Sequence, residues 1–290
     1  MCIRDRYRIT NRIAEQLGAK PVTMISVDSD FNASFRQVGW RRESAITIGL
    51  PLFAILSPQE QIAILAHEVA HGVNGDPNRG FFVGSAINTL MQWYSLLRPA
   101  YSLADDVGYS HSSSFGFFTF IANFIANIIM RILASFPWLG AYVLSHLLWH
   151  NSQRAEYFAD ALAAKVSSTP AMLSALEKLH YTQAFDQSVQ QVCIGIDKQD
   201  IVPVLRQNIA SMPAREIERI QRLETMSMAR LDVTHPPTSY RIQFLQANNV
   251  TQTGLQMSDA EAAQLEQELL TCQTRVQNEL IDQYRSRIYY

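Results

Sequence analysis

The chain has few cysteines: there are three, Cys2, Cys193 and Cys272, and none of them stands at the C-x-x-C spacing. An odd number of widely separated thiols suggests a reducing compartment and a functional site built without thiolates. We expect no signal peptide in residues 1–12, because no apolar run follows their arginines. Residues 1–6 resemble translated sequencing-adapter residue, an interpretation in which the natural protein begins upstream and membrane spans are missing from this reading frame.

An excess of charge of one sign is absent as well. The 24 basic side chains stand against 26 acidic ones, the net charge is -2, and no basic block occurs. This balance argues against nucleic acid as a partner. No repeat with a period near 34 residues is present, so a helical-repeat receptor is not supported. A chain of 290 residues can bury a substantial core, as one large domain or as one domain with an insertion.

Charge is nearly missing from two apolar stretches. Residues 81–97 carry none, and Arg131 is the single formally charged residue between Val107 and Gln153. We expect a membrane-crossing helix in each, with Arg131 and Pro137 dividing the second stretch. Its span would then lie within 132–149, after an interfacial or partly buried helix. The alternative is a pair of helices buried in a soluble core. Aromatic residues could anchor the spans at the interfaces: Trp93, Tyr94, Tyr101, Trp138, Tyr142 and Trp149.

The strongest motif is His67-Glu68-Val69-Ala70-His71. Two imidazoles four residues apart on a helix lie on one face and can hold one zinc ion, and the glutamate between them is placed to act on water. Ser57-Pro58-Gln59-Glu60 predicts the start of that helix by its N-cap, its first-turn proline and its capping box. Asn74-Gly75-Asp76-Pro77 predicts its end. The pattern therefore predicts one bound Zn²⁺ per chain, with His67 and His71 as ligands.

A catalytic zinc usually takes three protein ligands, so a third must come from elsewhere in the chain. The metzincin pattern is excluded, because Asn74 and Pro77 stand where it requires glycine and histidine. Residues 154–160 supply Glu156, which lies four residues before Asp160 on one helical face. This spacing suits Glu156 as the ligand and Asp160 as the carboxylate that orients a ligand imidazole. Alanines around them let a second helix approach closely.

With these motifs the chain resembles the gluzincin metallopeptidases of the HtpX-like and CAAX-prenyl-protease type. The resemblance rests on residues 65–72, 156–160 and 234–242, and it extends over about residues 20–245. It implies an α+β, predominantly helical fold, with a zincin-type catalytic core and a small β-sheet. A hydrophobic helical insertion would separate the two zinc-ligand helices, and a helical region would follow. It also implies zinc-dependent endoproteolysis with Glu68 as the general base.

Three further residues are candidates for the site. Asn32, in Phe31-Asn32-Ala33, resembles the Asn-Ala pair that stands beside the family's substrate-binding edge strand. His235 and Arg241 are candidates for the contact with the oxyanion or the substrate, and His235 is preferred as a catalytic residue. The alternatives stay open: His235 is a turn residue before two prolines, and Arg241 is a structural salt-bridge partner.

The rest of the chain predicts a mixed fold that becomes polar and helical after Asp160. We expect helices over 7–19, 170–183 and 214–230 and from Ser258 onwards, and strands over 21–27 and 45–50. The expected domains are 1–80 with the motif helix, 81–150 as the hydrophobic insertion, 151–245 as the remainder of the metalloprotease domain, and 246–290 as a C-terminal helical extension.

The favoured hypothesis is a membrane-associated zinc endopeptidase that acts on misfolded or membrane proteins. Its partners are protein or peptide substrates and a lipid membrane, and its location is the inner (plasma) membrane. Arg79 and Arg154 flank the catalytic side, whereas the connecting loop carries Asp105 and Asp106, so the catalytic side is expected to be cytoplasmic. The alternatives are a soluble periplasmic protease of the same family and a non-catalytic membrane scaffold. The intact Glu68 argues against a scaffold.

Overall fold

The computed structural model describes residues 4–74, 76–98, 114–195, 199–226 and 236–289. Over these residues the protein is predominantly helical with one three-stranded sheet, which confirms the predicted α+β class. The chain forms two compact units. One comprises Met1–Pro77 together with Ser152–Tyr290, and the other is Asn78–Asn151.

The sheet follows the first helix. Helix α1 (Arg4–Gln16) precedes β1 (Val22–Asp28), β2 (Ala33–Val38) and β3 (Glu43–Gly49). β3 is central, since it pairs parallel with β1 and antiparallel with β2, so that β2 is an edge strand. β1 and β3 confirm the two predicted strands. β2 was predicted only through the resemblance at Asn32, because its polar, half-exposed sequence gives a weak strand signal.

Ten helices follow the sheet in the described part of the chain. They are α2 (Leu50–Phe53), α3 (Pro58–Asn74), α4 (Asp76–Leu97), α5 (Ser114–Ser167), α6 (Thr169–Lys178), α7 (Thr182–Cys193), α8 (Ile201–Ala210), α9 (Ala214–Met226), α10 (Thr238–Ala247) and α11 (Asp259–Tyr289). The single helix expected over 170–183 is instead divided between α6 and α7. No glycine or proline marks the turn near His180, so this turn could not be predicted from helix-breaking residues.

The start of α3 is held by the predicted capping box. The Ser57 backbone N–H donates to Glu60 Oε2 at 2.6 Å, and the Glu60 N–H donates to Ser57 Oγ at 3.4 Å. Lys178 from α6 donates to the same Glu60 oxygen at 2.6 Å. Between these anchors and its end at Asn74, α3 packs against α1, α6 and β2. Its position is fixed by buried apolar residues on the core face: Ile62, Leu65, Ala66 and Val69.

The C-terminal helix α11 is packed into the first unit. Ser258 and Glu261 form the predicted capping box. The Ser258 N–H donates to Glu261 Oε2 at 2.9 Å, and the Glu261 N–H donates to Ser258 Oγ at 3.3 Å. Glu261 also accepts hydrogen bonds from Arg8 at 2.6 Å and Arg12 at 2.9 Å, which join α11 to α1. An apolar stripe on α11 belongs to the common core: Leu265, Leu269, Val276 and Leu280.

The unit Asn78–Asn151 contains most of α4 and α5. Gly140 of α5 faces Leu90 of α4, since a Cβ at Gly140 would lie 3.4 Å from Leu90 Cδ1. Ala134, Pro137 and Ala141 form a narrow buried stripe. Large apolar side chains cover much of the rest of the helix and are exposed, and we call them the apolar belt: Ile121, Phe124, Ile125, Ile128, Ile129, Ile132, Leu133, Phe136, Trp138, Leu139, Tyr142, Val143 and Leu147.

Helix α5 runs for 54 residues and continues through Pro137, so the predicted division at Arg131 and Pro137 is wrong. Proline is tolerated inside apolar helices when neighbouring groups satisfy the backbone that it frees. Among the described residues, α5 is the one helix long and apolar enough to cross a bilayer, and α4 does not meet the same criterion. The expectation of two crossings therefore stays a prediction.

Candidate metal centre

Helix α3 carries His67 and His71 one turn apart on the same face, as the motif predicts. Their ring centroids are 4.8 Å apart, the rings are almost perpendicular, and the two Nε2 atoms lie 3.2 Å from each other. His67 is buried and His71 is half-buried. Two imidazole nitrogens aimed at the same point can share one ion.

Glu156 of α5 completes this arrangement. Its Oε2 lies 3.5 Å from His67 Nε2, and its Oε1 lies 3.5 Å from His71 Nε2. In the described part of the chain, His67, His71 and Glu156 are the group whose ligand atoms converge, all within 4.8 Å of one another. The structure thus brings together all three predicted ligands, although 85 residues separate Glu156 from His71.

The distances among these three side chains fit a single zinc ion. Zinc bonds to histidine and carboxylate are about 2.0–2.2 Å long, so the ligand atoms of a tetrahedral site lie roughly 3.3–3.5 Å apart. The two Nε2 atoms are 3.2 Å apart. Each lies 3.5 Å from a different oxygen of Glu156, His67 from Oε2 and His71 from Oε1, so both carboxylate oxygens face the two rings. Two neutral imidazoles and one carboxylate are also a donor set that suits zinc.

Behind the ligands lies a buried ion pair. Asp160, one turn after Glu156 on α5, accepts hydrogen bonds from Arg241 Nε at 2.7 Å and Arg241 Nη2 at 2.6 Å. Its Oδ1 lies 3.0 Å from His67 Nδ1, close enough to bond although the angle falls short of good alignment. Arg241 Nη1 lies 3.5 Å from Glu156 Oε2. The predicted carboxylate therefore contacts a ligand imidazole, and Arg241 joins that carboxylate to Glu156.

The electrostatics follow from this burial. Burial lowers the pKa of His67, but its close contacts with Asp160 and Glu156 outweigh that effect and raise the pKa to about 9. Burial also opposes the charge on Arg241, and Asp160 and Glu156 outweigh it, so the pKa of Arg241 is raised and the guanidinium stays charged. A cation held between the two imidazoles would instead favour the neutral form of His67, because an imidazole that binds a metal must be deprotonated at the ligand nitrogen.

The carboxylate of Glu68 lies next to the edge strand β2. Burial raises the pKa of Glu68, against the opposing effects of His67 and His71 and of a hydrogen bond from the backbone N–H of Phe35. Gly72 lies against the same residue, since a Cβ there would come within 2.7 Å of Phe35 Cζ. The helix face that carries the motif therefore lies against β2. Sequence reasoning missed Phe35, because a backbone donor has no residue-type signature, and it included Gly72 only as the last residue of the segment 65–72 that carries the resemblance.

The remaining predicted residues fall in two places. Asn32 is exposed immediately before β2, and its carbonyl accepts a hydrogen bond from the Gly49 N–H at 2.8 Å. It therefore lies at the beginning of the edge strand, as the resemblance implies. His235 lies outside the described residues.

Sequence reasoning also missed a shallow, open cleft of about 530 Å³. It is lined by the neighbours of two site residues: Tyr157 follows Glu156 in the chain, and Tyr240 precedes Arg241. Phe244 packs on Tyr157 with ring centroids 5.2 Å apart. Tyr157, Tyr240 and Phe244 are all aromatic, but nothing in the sequence indicates that they line the same cleft.

Fold and site together are those of a zincin-type metallopeptidase, because a motif helix, a distant glutamate and a sheet with a free edge are brought together as that class requires. The chain belongs to peptidase family M48, whose sequence profile matches residues 4–249. This match confirms the family resemblance of the sequence motifs, and it begins somewhat earlier than the resemblance over 20–245.

Curated relatives carry the name Protease HtpX. The chain is 30% identical to that of Pseudomonas putida (strain GB-1) over 154 residues, which are 53% of this chain and 48% of the relative. It is 27% identical to that of Stutzerimonas stutzeri (strain A1501) over 173 residues, 59% of this chain and 55% of the relative. The chain thus spans about half the length of the curated relatives it matches. No solved structure matches it.

Proposed function

We propose that this protein is a membrane-associated, zinc-dependent endopeptidase, with His67, His71 and Glu156 as the metal ligands and Glu68 as the general base. The observation that carries the proposal is the convergence of two imidazole nitrogens and the Glu156 carboxylate, within 4.8 Å of one another, beside a glutamate that faces an edge strand. Bound zinc would acidify a water molecule and polarise the scissile carbonyl.

The proton is moved by Glu68. Its carboxylate accepts the proton as the water attacks the peptide carbonyl, and it then donates this proton to the leaving amine. The Phe35 N–H, which bonds to this carboxylate, holds it at the strand along which the substrate lies. A glutamine at position 68 keeps the shape and the hydrogen bond but cannot accept the proton.

Asp160 and Arg241 position the ligands. Asp160 lies beside His67 Nδ1, which selects the tautomer whose Nε2 is free to bind the ion. Arg241 fixes Asp160 with two bonds and lies 3.5 Å from Glu156, so it holds the two carboxylates of α5 in place. For Arg241 we therefore favour this positioning role over direct contact with the substrate.

An extended substrate would pair with the free edge of β2. Asn32, at the beginning of that strand, would contact the substrate, and His235 would contact the oxyanion or the substrate. β2 supports this arrangement because its Phe35 lies against both Glu68 and Gly72.

The apolar belt supports membrane association. A helix whose large apolar side chains are exposed on most faces is unfavourable in water and favourable in lipid. We place the protein in the inner (plasma) membrane with the metal site on the cytoplasmic side, acting on misfolded or membrane proteins. Two relatives named Protease HtpX, from Pseudomonas putida and Stutzerimonas stutzeri, support the peptidase assignment.

Casein digestion tests the enzyme. The parent should regain activity when zinc is added after chelation, Glu68→Gln should not, and Glu15→Gln, a matched change at an exposed glutamate, should behave as the parent. Equal activity in the parent and Glu68→Gln would refute the proposal. An inactive parent would favour the non-catalytic scaffold. Recovery of the parent in the soluble fraction without detergent would favour a soluble periplasmic protease.

A further inference from the structure

The hairpin between β2 and β3 carries an unusual side chain at its end. Trp40 is fully exposed, with a relative exposure of 105%, the highest among the large hydrophobic residues that the structure describes. Tryptophan is highly buried on average in soluble proteins. Arg41 and Arg42 follow it and are also exposed. We refer to residues Gly39–Arg42 as the hairpin tip.

The backbone holds this tip in a tight turn. The Arg42 N–H donates to the Gly39 carbonyl at 3.1 Å, and both residues have left-handed φ angles, +71° for Gly39 and +51° for Arg42. Glycine or asparagine would suit position 42 better than arginine does. The geometry of the turn therefore does not explain why position 42 is an arginine. The same turn places Trp40 at the end of the paired strands β2 and β3.

The charges around Trp40 are mostly of one sign. Residues 36–43 contain Arg36, Arg41 and Arg42 against the single acid Glu43. Val38, the nearest apolar neighbour along β2, is 40% exposed. An indole flanked by guanidinium groups matches the headgroup zone of a bilayer, where tryptophan is enriched and arginine pairs with phosphates. Basic clusters near a membrane surface bind anionic lipid.

We propose that the hairpin tip, which belongs to the unit of Met1–Pro77 and Ser152–Tyr290, is a membrane contact at which Trp40 enters the headgroup layer of an anionic bilayer. This inference rests on the proposed membrane association but not on the peptidase activity. Because the hairpin belongs to the same chain as the apolar belt, a bilayer that holds the belt raises the effective concentration of lipid near the tip. A contact too weak to bind a membrane alone can then be occupied.

The test uses the full chain with Trp93→Phe, Trp138→Phe and Trp149→Phe, so that Trp40 is the single tryptophan and can be excited selectively over the tyrosines. In lipid nanodiscs that contain phosphatidylglycerol, Trp40 emission should shift to shorter wavelength. Lipids brominated near the headgroup should quench it. Each arginine lost should shift the bound-to-free ratio of the tip about fivefold. Arg41→Gln with Arg42→Gln should therefore largely restore water-like emission, whereas Arg215→Gln with Arg222→Gln, a matched change on α9, should not.

Three outcomes would overturn the inference. If the chain enters nanodiscs but Trp40 stays accessible to acrylamide and unquenched by brominated lipid, the tip is not a membrane contact, and the membrane association stands. If casein in detergent shields Trp40 while nanodiscs do not, the tip contacts protein substrates instead. A chain that stays out of nanodiscs refutes the membrane association and this inference together, and casein digestion still reports independently on the peptidase.

Discussion

Arg241→Met should strongly destabilise the unit formed by Met1–Pro77 and Ser152–Tyr290. Arg241 is 6% exposed, and its guanidinium makes two hydrogen bonds to Asp160 at 2.7 and 2.6 Å and lies 3.5 Å from Glu156. Removing it leaves two buried carboxylates with the His67 imidazolium as the cation that still contacts both of them. Breaking one partner of a buried pair costs about 3–5 kcal/mol. For a unit of roughly 200 residues, this loss lowers Tm by about 6–20 °C.

Thermal melting of the metal-free protein in detergent measures this effect without a contribution from bound zinc. Arg219→Met is the matched control, because Arg219 bonds Glu216 at 2.6 Å but both side chains are exposed. An exposed ion pair contributes little to stability, so the Tm of the Arg219→Met variant should hardly differ from that of the parent. The double variant Arg241→Met with Asp160→Asn should show a smaller fall in Tm than the sum of the falls in the two single variants, because the two side chains are partners in one ion pair. A fall in Tm no larger than that of Arg219→Met would refute the buried ion pair.

Two further predictions concern α3. Burial raises the pKa of Glu60, but Lys178 and other donors outweigh it, so the pKa is below the ordinary 4.5 and the group stabilises the fold above that pH. The Tm deficit of Glu60→Gln against the parent should therefore shrink as the pH falls below about 4.5, and a deficit independent of pH contradicts this. Gly72→Ala puts a methyl within 2.7 Å of the Phe35 ring and should cost about 1–3 kcal/mol by urea unfolding. Adding Phe35→Leu should recover part of that loss, and no recovery would contradict the contact.

Features that depend on local spacing could be predicted from the sequence. The capping box of Ser57 and Glu60 predicted the start of α3, because both partners lie within one helical turn. The four-residue spacings of His67 with His71, and of Glu156 with Asp160, fixed which side chains share a face. That Glu156 meets the histidines followed only from the requirement for a third ligand.

Features that depend on distant contacts could not be predicted. Arg241 and Asp160 are 81 residues apart, and the sequence left a salt bridge and a substrate contact equally open for Arg241. The Phe35 N–H that bonds Glu68 is a backbone group, which any residue type could supply. Helix α5 continues through Pro137, whereas the isolated sequence predicted a break. Whether a proline breaks an apolar helix depends on neighbouring groups that satisfy the freed backbone, and the fold determines those neighbours.

Zinc content tests the central claim most directly, namely that two imidazoles of α3 and one carboxylate of α5 hold the ion while Glu68 does not. After loading and dialysis, the parent and Glu68→Gln should each retain one zinc per chain, whereas Glu156→Gln should lose it. Retention of zinc by Glu156→Gln with the affinity of the parent would contradict this account.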